Sequence, residues 1–138
     1  MTRILTLRIE RPVAGGAMLA HHAGRVVLVD GAIPGERVHA RVDRERRDVV
    51  FATVIGVVEP DPDRRPLESD PTCGGQAYLH ITYDRQRQLK SQVIGDALRR
   101  MTQFDEIVPV PVAPSPERGY QMRSRLHAGS SGLGFLRG

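Results

Sequence analysis

GRVVLVDGAIPGERVHARV, residues 24–42, decides the fold. RVVLV, residues 25–29, reads as a strand, and GAIPGE, residues 31–36, as a turn whose glycines can take positive φ. In the strand that follows, Val38, Ala40 and Val42 point one way while Arg37, His39 and Arg41 point the other, so one face is core and one is basic. Toward the N-terminus, ILTLRI repeats the alternation, with Leu5, Leu7 and Ile9 set against Thr6 and Arg8, and Pro12 ends it. Toward the C-terminus, the charged turn RERRD, residues 44–48, leads into VVFATVIGVVE, residues 49–59, apolar on both faces as in a central or barrel-closing strand. Short strands with glycine turns and no helix between them predict a small antiparallel barrel of the OB type over residues 1–60.

Beyond the barrel the chain changes character. PDPDRRPLESDPT, residues 60–72, holds four prolines among alternating charges, which interrupts helix and sheet and places a linker at 61–72. The remainder, 73–138, contains one amphipathic helix at about 82–102, where Leu89, Val93, Ala97 and Met101 repeat every four residues with Ile94 and Leu98 beside them. Thr82 is the expected N-cap, Asp84 lies in the first turn, and Arg99 and Arg100 lie in the last, all favourable to the helix dipole. After the proline-laced IVPVPVAPSPE come two strand-like pieces, GYQMRSRLHA and GLGFLRG, within about 118–138. They read as the opening hairpin of a larger sheet, so the expected fold is mainly β with one helix: an OB-like barrel followed by an incomplete α+β domain.

Composition sets the outer limits. A hydrophobic content of 40% over 138 residues is enough to bury a core. No apolar run approaches the ~20 residues that span a bilayer, and the first residues lack the apolar stretch of a secretory signal, so the cytoplasm is the expected location. Cys73 is the single cysteine, which excludes an internal disulfide and fits a reducing compartment. The net charge of +4 and pI near 10.0 rest on nineteen arginines and Lys90. Guanidinium groups form forked bonds to phosphate and stack on bases, which suits RNA, although an arginine bias also arises from GC-rich coding.

The ordered motifs resemble the bacterial SAM-dependent RNA uracil-5 methyltransferases. Residues 24–42 resemble the TRAM domain, an RNA-binding OB-like barrel whose turn reads Pro34-Gly35-Glu36 here. CGGQAYLHITYDRQRQLK, residues 73–90, is similar to the family's Cys-Gly-Gly-Cys segment and the helix behind it. RGYQMRSRLHAG, residues 118–129, and GLGFLRG, residues 132–138, resemble the first strands of its central domain. The resemblance implies that the intact enzyme methylates uridine C5 in ribosomal or transfer RNA with SAM, using a downstream Rossmann-like domain. None of these residues forms a strand, glycine-rich turn and helix able to hold SAM, and Cys73 lies in the wrong motif to be the attacking cysteine. The expected chain is thus a truncated, catalytically inert, monomeric RNA-binding portion with no cofactor of its own; the alternative is a stand-alone RNA-binding module without chemistry. An iron-sulfur cluster needs four thiolates. Leu67 and Gln76 occupy two family cysteine positions, leaving Cys73 as a relic of that site or simply a small turn residue.

Candidate RNA contacts are Arg37, Arg41, Arg44, Arg46 and Arg47 on one face and the tip of a hairpin, with Arg118, Tyr120, Arg123 and Arg125 in the second half. Each has a plainer reading. Asp43, Glu45 and Asp48 cancel much of the hairpin's field if they pair with its arginines, and Tyr120 can pack into the core instead of stacking on a base. His80 and His127 lack a third metal ligand at usable spacing, and His21 and His22 are expected in a solvated loop. Phe51 is the only aromatic through residue 60 and lies on an apolar strand, so the barrel is expected to lack a stacking platform and to bind electrostatically.

Overall fold

The computed structural model describes residues 2–67, 77–103, 106, 109–120 and 122–134. Cys73, Gln76 and the last four residues of GLGFLRG lie outside them.

Six strands build one sheet: β1 (Ile4–Arg8), β2 (Arg11–Pro12), β3 (Met18–His22), β4 (Arg25–Asp30), β5 (Arg37–Glu45) and β6 (Val49–Glu59), in the order β1-β5-β6-β4-β3-β2. β1 and β2 lie at opposite edges of that order yet are separated by only Ile9 and Glu10. One bent run of chain therefore pairs with β5 on one side and β3 on the other, which closes the sheet as an OB-like barrel. Ile9 pins the bend: its N–H donates to Glu36 O at 2.9 Å and its carbonyl accepts from Gly35 N at 2.8 Å.

Three expectations about the strands change. Four of the five strand pairs are antiparallel, but β4 and β6 are parallel, because β5 carries the chain back between them. Pro12 does not end the strand region. It sits in β2 opposite Met18, a tolerable place because β2 is an edge strand. MLAHH forms β3, so His21 and His22 belong to a strand and not a loop, and His21 Nδ1 lies 2.8 Å from Glu10 Oε1.

The alternation read in the sequence fills the barrel. Leu5, Leu7, Val38 and Ala40 are buried while Thr6, Arg37, His39 and Arg41 face outward. β6 is central as its composition implies, but Ile55 and Val58 are exposed, because the β5–β6 register slips beside both of them. These bulges curl the sheet and leave one residue on the longer strand unopposed. The β3–β4 hairpin turns through Ala23 and Gly24 with φ of 49° and 76°, both left-handed. Glycine takes that region freely; alanine does not.

The proline-rich segment is fastened to the barrel over its first residues. Arg64 bridges Ile81, Arg65 N donates to His80 O at 2.9 Å, and Thr82 N donates to Asp63 O at 2.8 Å. Under this clasp the Glu36 carboxylate is fully buried and accepts from Ile33 N, Asp61 N and two nitrogens of Arg64, at 2.7–3.1 Å. Burial alone would raise the Glu36 pKa, but the Arg64 guanidinium and the two backbone N–H groups outweigh it and hold the carboxyl below its ordinary value. His80 Nε2 lies 2.8 Å from Ala32 O, and burial pushes its pKa down, so the ring is neutral and donates to that carbonyl.

The clasp delivers Ile81 and Leu89 into the barrel core and positions α1 (Tyr83–Met101). Thr82 precedes the helix but does not cap it, since its hydroxyl donates to Asp63 Oδ1 at 2.7 Å. The apolar stripe is only partly used: Leu89 is buried, whereas Met101 is 81% exposed. Residues 109–117 lie along the helix, with Arg87 Nε donating to Val112 O at 2.8 Å and Tyr83 OH accepting from Ser115 N at 2.8 Å. GYQMRSRLHA is not a strand over most of its length. The final hairpin is β7 (His127–Gly129) with β8 (Gly132–Gly134), too small for stability alone.

Three outcomes are expected in urea unfolding. Ala23→Asn stabilises the chain by roughly 0.5–1 kcal/mol, because asparagine followed by glycine suits a left-handed two-residue turn; no gain would mean that the turn is not left-handed. Glu36→Gln costs about 3 kcal/mol by leaving Arg64 without its counter-charge, and a loss under 1 kcal/mol would remove the ion pair from the account. His80 titrates lower in the folded state, so its stabilisation is complete above the unfolded value of about 6.5 and is lost as pH falls through the folded value. The fall in midpoint beginning below pH ~6.5 should therefore shrink in His80→Gln, whereas Glu36 contributes only to a further loss below about 4.3.

Candidate nucleic-acid interface

The β5–β6 hairpin carries five arginines, and the structure sorts them by what neutralises each. Arg37 Nη1 lies 3.6 Å from Glu59, which also pairs with Arg8 at 2.6 Å. Arg41 Nε donates to Asp43 Oδ1 at 2.9 Å, and Asp43 in turn accepts from Thr53 Oγ1 at 2.6 Å. Glu45 is held from outside the hairpin, by Arg3 at 3.1 Å and Arg25 at 2.8 Å. These guanidinium groups keep the Glu45 and Glu59 carboxyls below their ordinary pKa, the hydrogen bonds from Arg25 and Arg8 being the largest favourable causes. Arg25 Nη2 also donates to Arg46 O at 2.5 Å, which ties the turn end of the β3–β4 hairpin to the β5–β6 tip.

Asp43 and Glu45 are therefore committed to Arg41, Arg3 and Arg25, while exposed Asp48 stands in the turn beside Arg46 and Arg47. Arg44, Arg46 and Arg47 have no carboxylate partner among the described residues. Asp43 and Glu45 do not cancel the tip, contrary to the plainer reading of its composition. The Arg44 guanidinium carbon lies 4.3 Å from the centroid of the Phe51 ring and that of Arg46 lies 5.9 Å from it. Phe51 is half-buried on the outward side of β6, between buried Val50 and Ala52. It is thus placed beside cations, where the sequence reading had put it on a strand without a stacking platform. The bulge at Asp43 sets Arg44 opposite Phe51, which strand parity alone does not foretell.

With β1 and β2 counted as one bent strand, the β5–β6 loop joins the fourth and fifth strands of the barrel. OB folds bind oligonucleotides through that loop and through the one joining their first two strands. Here the latter loop, residues 13–17, faces α1 across a groove of about 430 Å³ lined by Val13, Val93, Ile94 and Val112. Arg11 reaches Asp96 of the helix at 3.4 Å, which fastens that side.

In the second half, Tyr120 is 65% exposed and not part of the core. Arg123 and Arg125 are exposed and make no ion pair among the described residues. Arg118 is exposed as well. His80 is committed to Ala32, and His127 pairs with Gly134 in the terminal hairpin. Among the described residues no group of three or more His, Cys, Asp or Glu side chains could hold a metal ion, and no helix is long and apolar enough to cross a membrane.

Residues 3–55 match the TRAM domain family model. The 23S rRNA (uracil(1939)-C(5))-methyltransferase RlmD of Methylococcus capsulatus is 34% identical over 126 residues, which is 90% of this chain and 28% of that protein. The protein of the same name from Alkalilimnicola ehrlichii is 38% identical over 114 residues, 80% of this chain and 25% of that protein. An RNA methyltransferase of Bdellovibrio bacteriovorus, Bd3828, is 32% identical over 124 residues, 88% of this chain and 31% of that protein. The chain spans less than a third of the length of these curated relatives.

Proposed function

We propose that the chain, which matches the TRAM model over residues 3–55 and is similar to RNA uracil-5 methyltransferases over less than a third of their length, is the N-terminal region of such an enzyme and positions ribosomal or transfer RNA for a methyltransferase domain in the rest of it. The observation that carries this reading is the β5–β6 tip, where Arg44, Arg46 and Arg47 face solvent without carboxylate partners on a loop that OB folds use for oligonucleotides. Arg41, midway along β5, and Arg37, at the open end of the hairpin, share their charge with Asp43 and Glu59, so they contribute less to the field. Arg118, Tyr120, Arg123 and Arg125 form a second, separately mounted set of contacts.

Methyl transfer to uridine C5 belongs to the whole enzyme. Among the described residues there is no strand, glycine-rich turn and helix for SAM, and a single cysteine cannot ligate a cluster. SAM would supply the methyl group from the remaining part of the enzyme. These residues hold RNA phosphates and set the orientation of the strand. Leu126 and Leu133, on and beside the small β7–β8 hairpin, are exposed apolar side chains suited to packing against further protein, and this favours the enzyme portion over a stand-alone module.

Phosphate contacts release counterions, so affinity for a labelled RNA stem-loop should fall steeply between 50 and 200 mM salt. Arg46→Ala combined with Arg47→Ala should weaken binding about equally for unrelated sequences. It should also reduce the slope of log affinity against log salt by roughly 2, one for each lost phosphate contact. An unchanged slope in fluorescence anisotropy would remove the hairpin tip from the interface.

A further inference from the structure

We infer that the β5–β6 tip is a stacking site for one unpaired RNA base, with the Arg44 guanidinium, backed by Phe51, as its platform. This rests on the proposed RNA binding and goes further, because it distinguishes the kind of RNA the tip takes.

The register makes the platform. Val42 pairs with Ala52, and the next pair along the hairpin is Arg44 with Phe51, since Asp43 is an extra residue in β5. An unbroken antiparallel register would set Asp43 opposite Phe51. The bulge instead brings a guanidinium to 4.3 Å from the ring centroid, while Asp43 turns to Arg41 and Thr53. Glu45, the other near carboxylate, is taken by Arg3 and Arg25. Among the described residues Arg44 is therefore held by the ring, without a carboxylate along its N–H edge.

A guanidinium resting on an aromatic ring has used one of its two planar faces. The other face can stack on a nucleobase, while the N–H edge can donate to a phosphate of the same nucleotide. In a continuous duplex the base faces are already stacked on one another, so only an unpaired or extruded base can use the platform. Arg46, at 5.9 Å from the same ring, adds charge beside it.

The test compares a single-stranded oligouridine with a blunt RNA duplex of equal length, both labelled, at fixed salt, using the 138-residue chain. Arg44→Lys keeps the charge and loses the planar group. It should weaken single-strand binding roughly tenfold, in the range found for one base–side-chain stack, and change duplex binding less than twofold. Phe51→Leu should act in the same direction, with thermal unfolding monitored to confirm that it folds. Arg47→Ala should weaken both RNAs alike. Equal losses on both RNAs for Arg44→Lys, or no loss on either, overturn the stacking site and leave the phosphate-binding face standing. If the unaltered chain binds neither RNA, the RNA-binding reading falls and the stacking site with it.

Discussion

The Glu36 carboxylate is buried in the turn between β4 and β5, and the fold is arranged around keeping it charged. An unpaired carboxylate in that position would be strongly disfavoured, since burial removes its hydration. Ile33 N, Asp61 N and the Arg64 fork replace the lost water, and Arg64 also donates to Gly31 O at 2.7 Å. One group thus holds the turn closed from within and draws the segment after β6 back across it. Because Arg64 bridges Ile81, the same ion pair determines where the following chain meets the barrel and where α1 begins. Gly35 has φ of 95° in this turn and Pro34 precedes it, so the backbone is bent before the carboxylate turns inward. The Pro-Gly-Glu triplet is accordingly a structural device, and its acid is not available to RNA.

Much of the barrel was legible because its signals are local. Leu5, Leu7, Val38 and Ala40 alternate with polar residues at a period of two, and burial follows that parity. What escaped has few local signals. β2 is two residues long and contains Pro12, and β3 reads as a mixed run ending in two histidines; both form strands only because the bent β1–β2 run must pair at each end. The parallel β4–β6 pair is a property of topology, which no single strand encodes. Composition identified the helix well, yet it could not say that Met101 stays exposed, because the depth of docking depends on Ile81 and Leu89 entering a core made by other strands.

The candidate interface shows the same limit. Five arginines at one hairpin were evident from the sequence, as were the three acids among them. Which charges survive depends on partners about twenty to fifty residues away in the chain: Arg3 and Arg25 converge on Glu45, and Glu59 serves Arg8 and Arg37. The surviving field is therefore narrower than the composition implies and is concentrated at Arg44, Arg46 and Arg47. Phe51 shows how one inserted residue in the opposite strand can decide whether an aromatic ring meets an acid or a base.

The bent first strand also has a consequence for how the protein is made. Residues 4–12 leave the ribosome before their partners, which lie in β5 on one side and β3 on the other. The barrel cannot close until β6, which joins β5 to β4, is complete at Glu59, and the Glu36 charge remains unsatisfied until Arg64 follows. Non-local pairings of this kind bring a large loop-closure entropy before any contact compensates it, so they fold slowly compared with helical chains. During synthesis the apolar side chains of β1 thus wait for more than thirty residues of later sequence, and the charged residues Arg3, Arg8 and Glu10 around them serve as gatekeepers that keep this early segment from pairing with other chains.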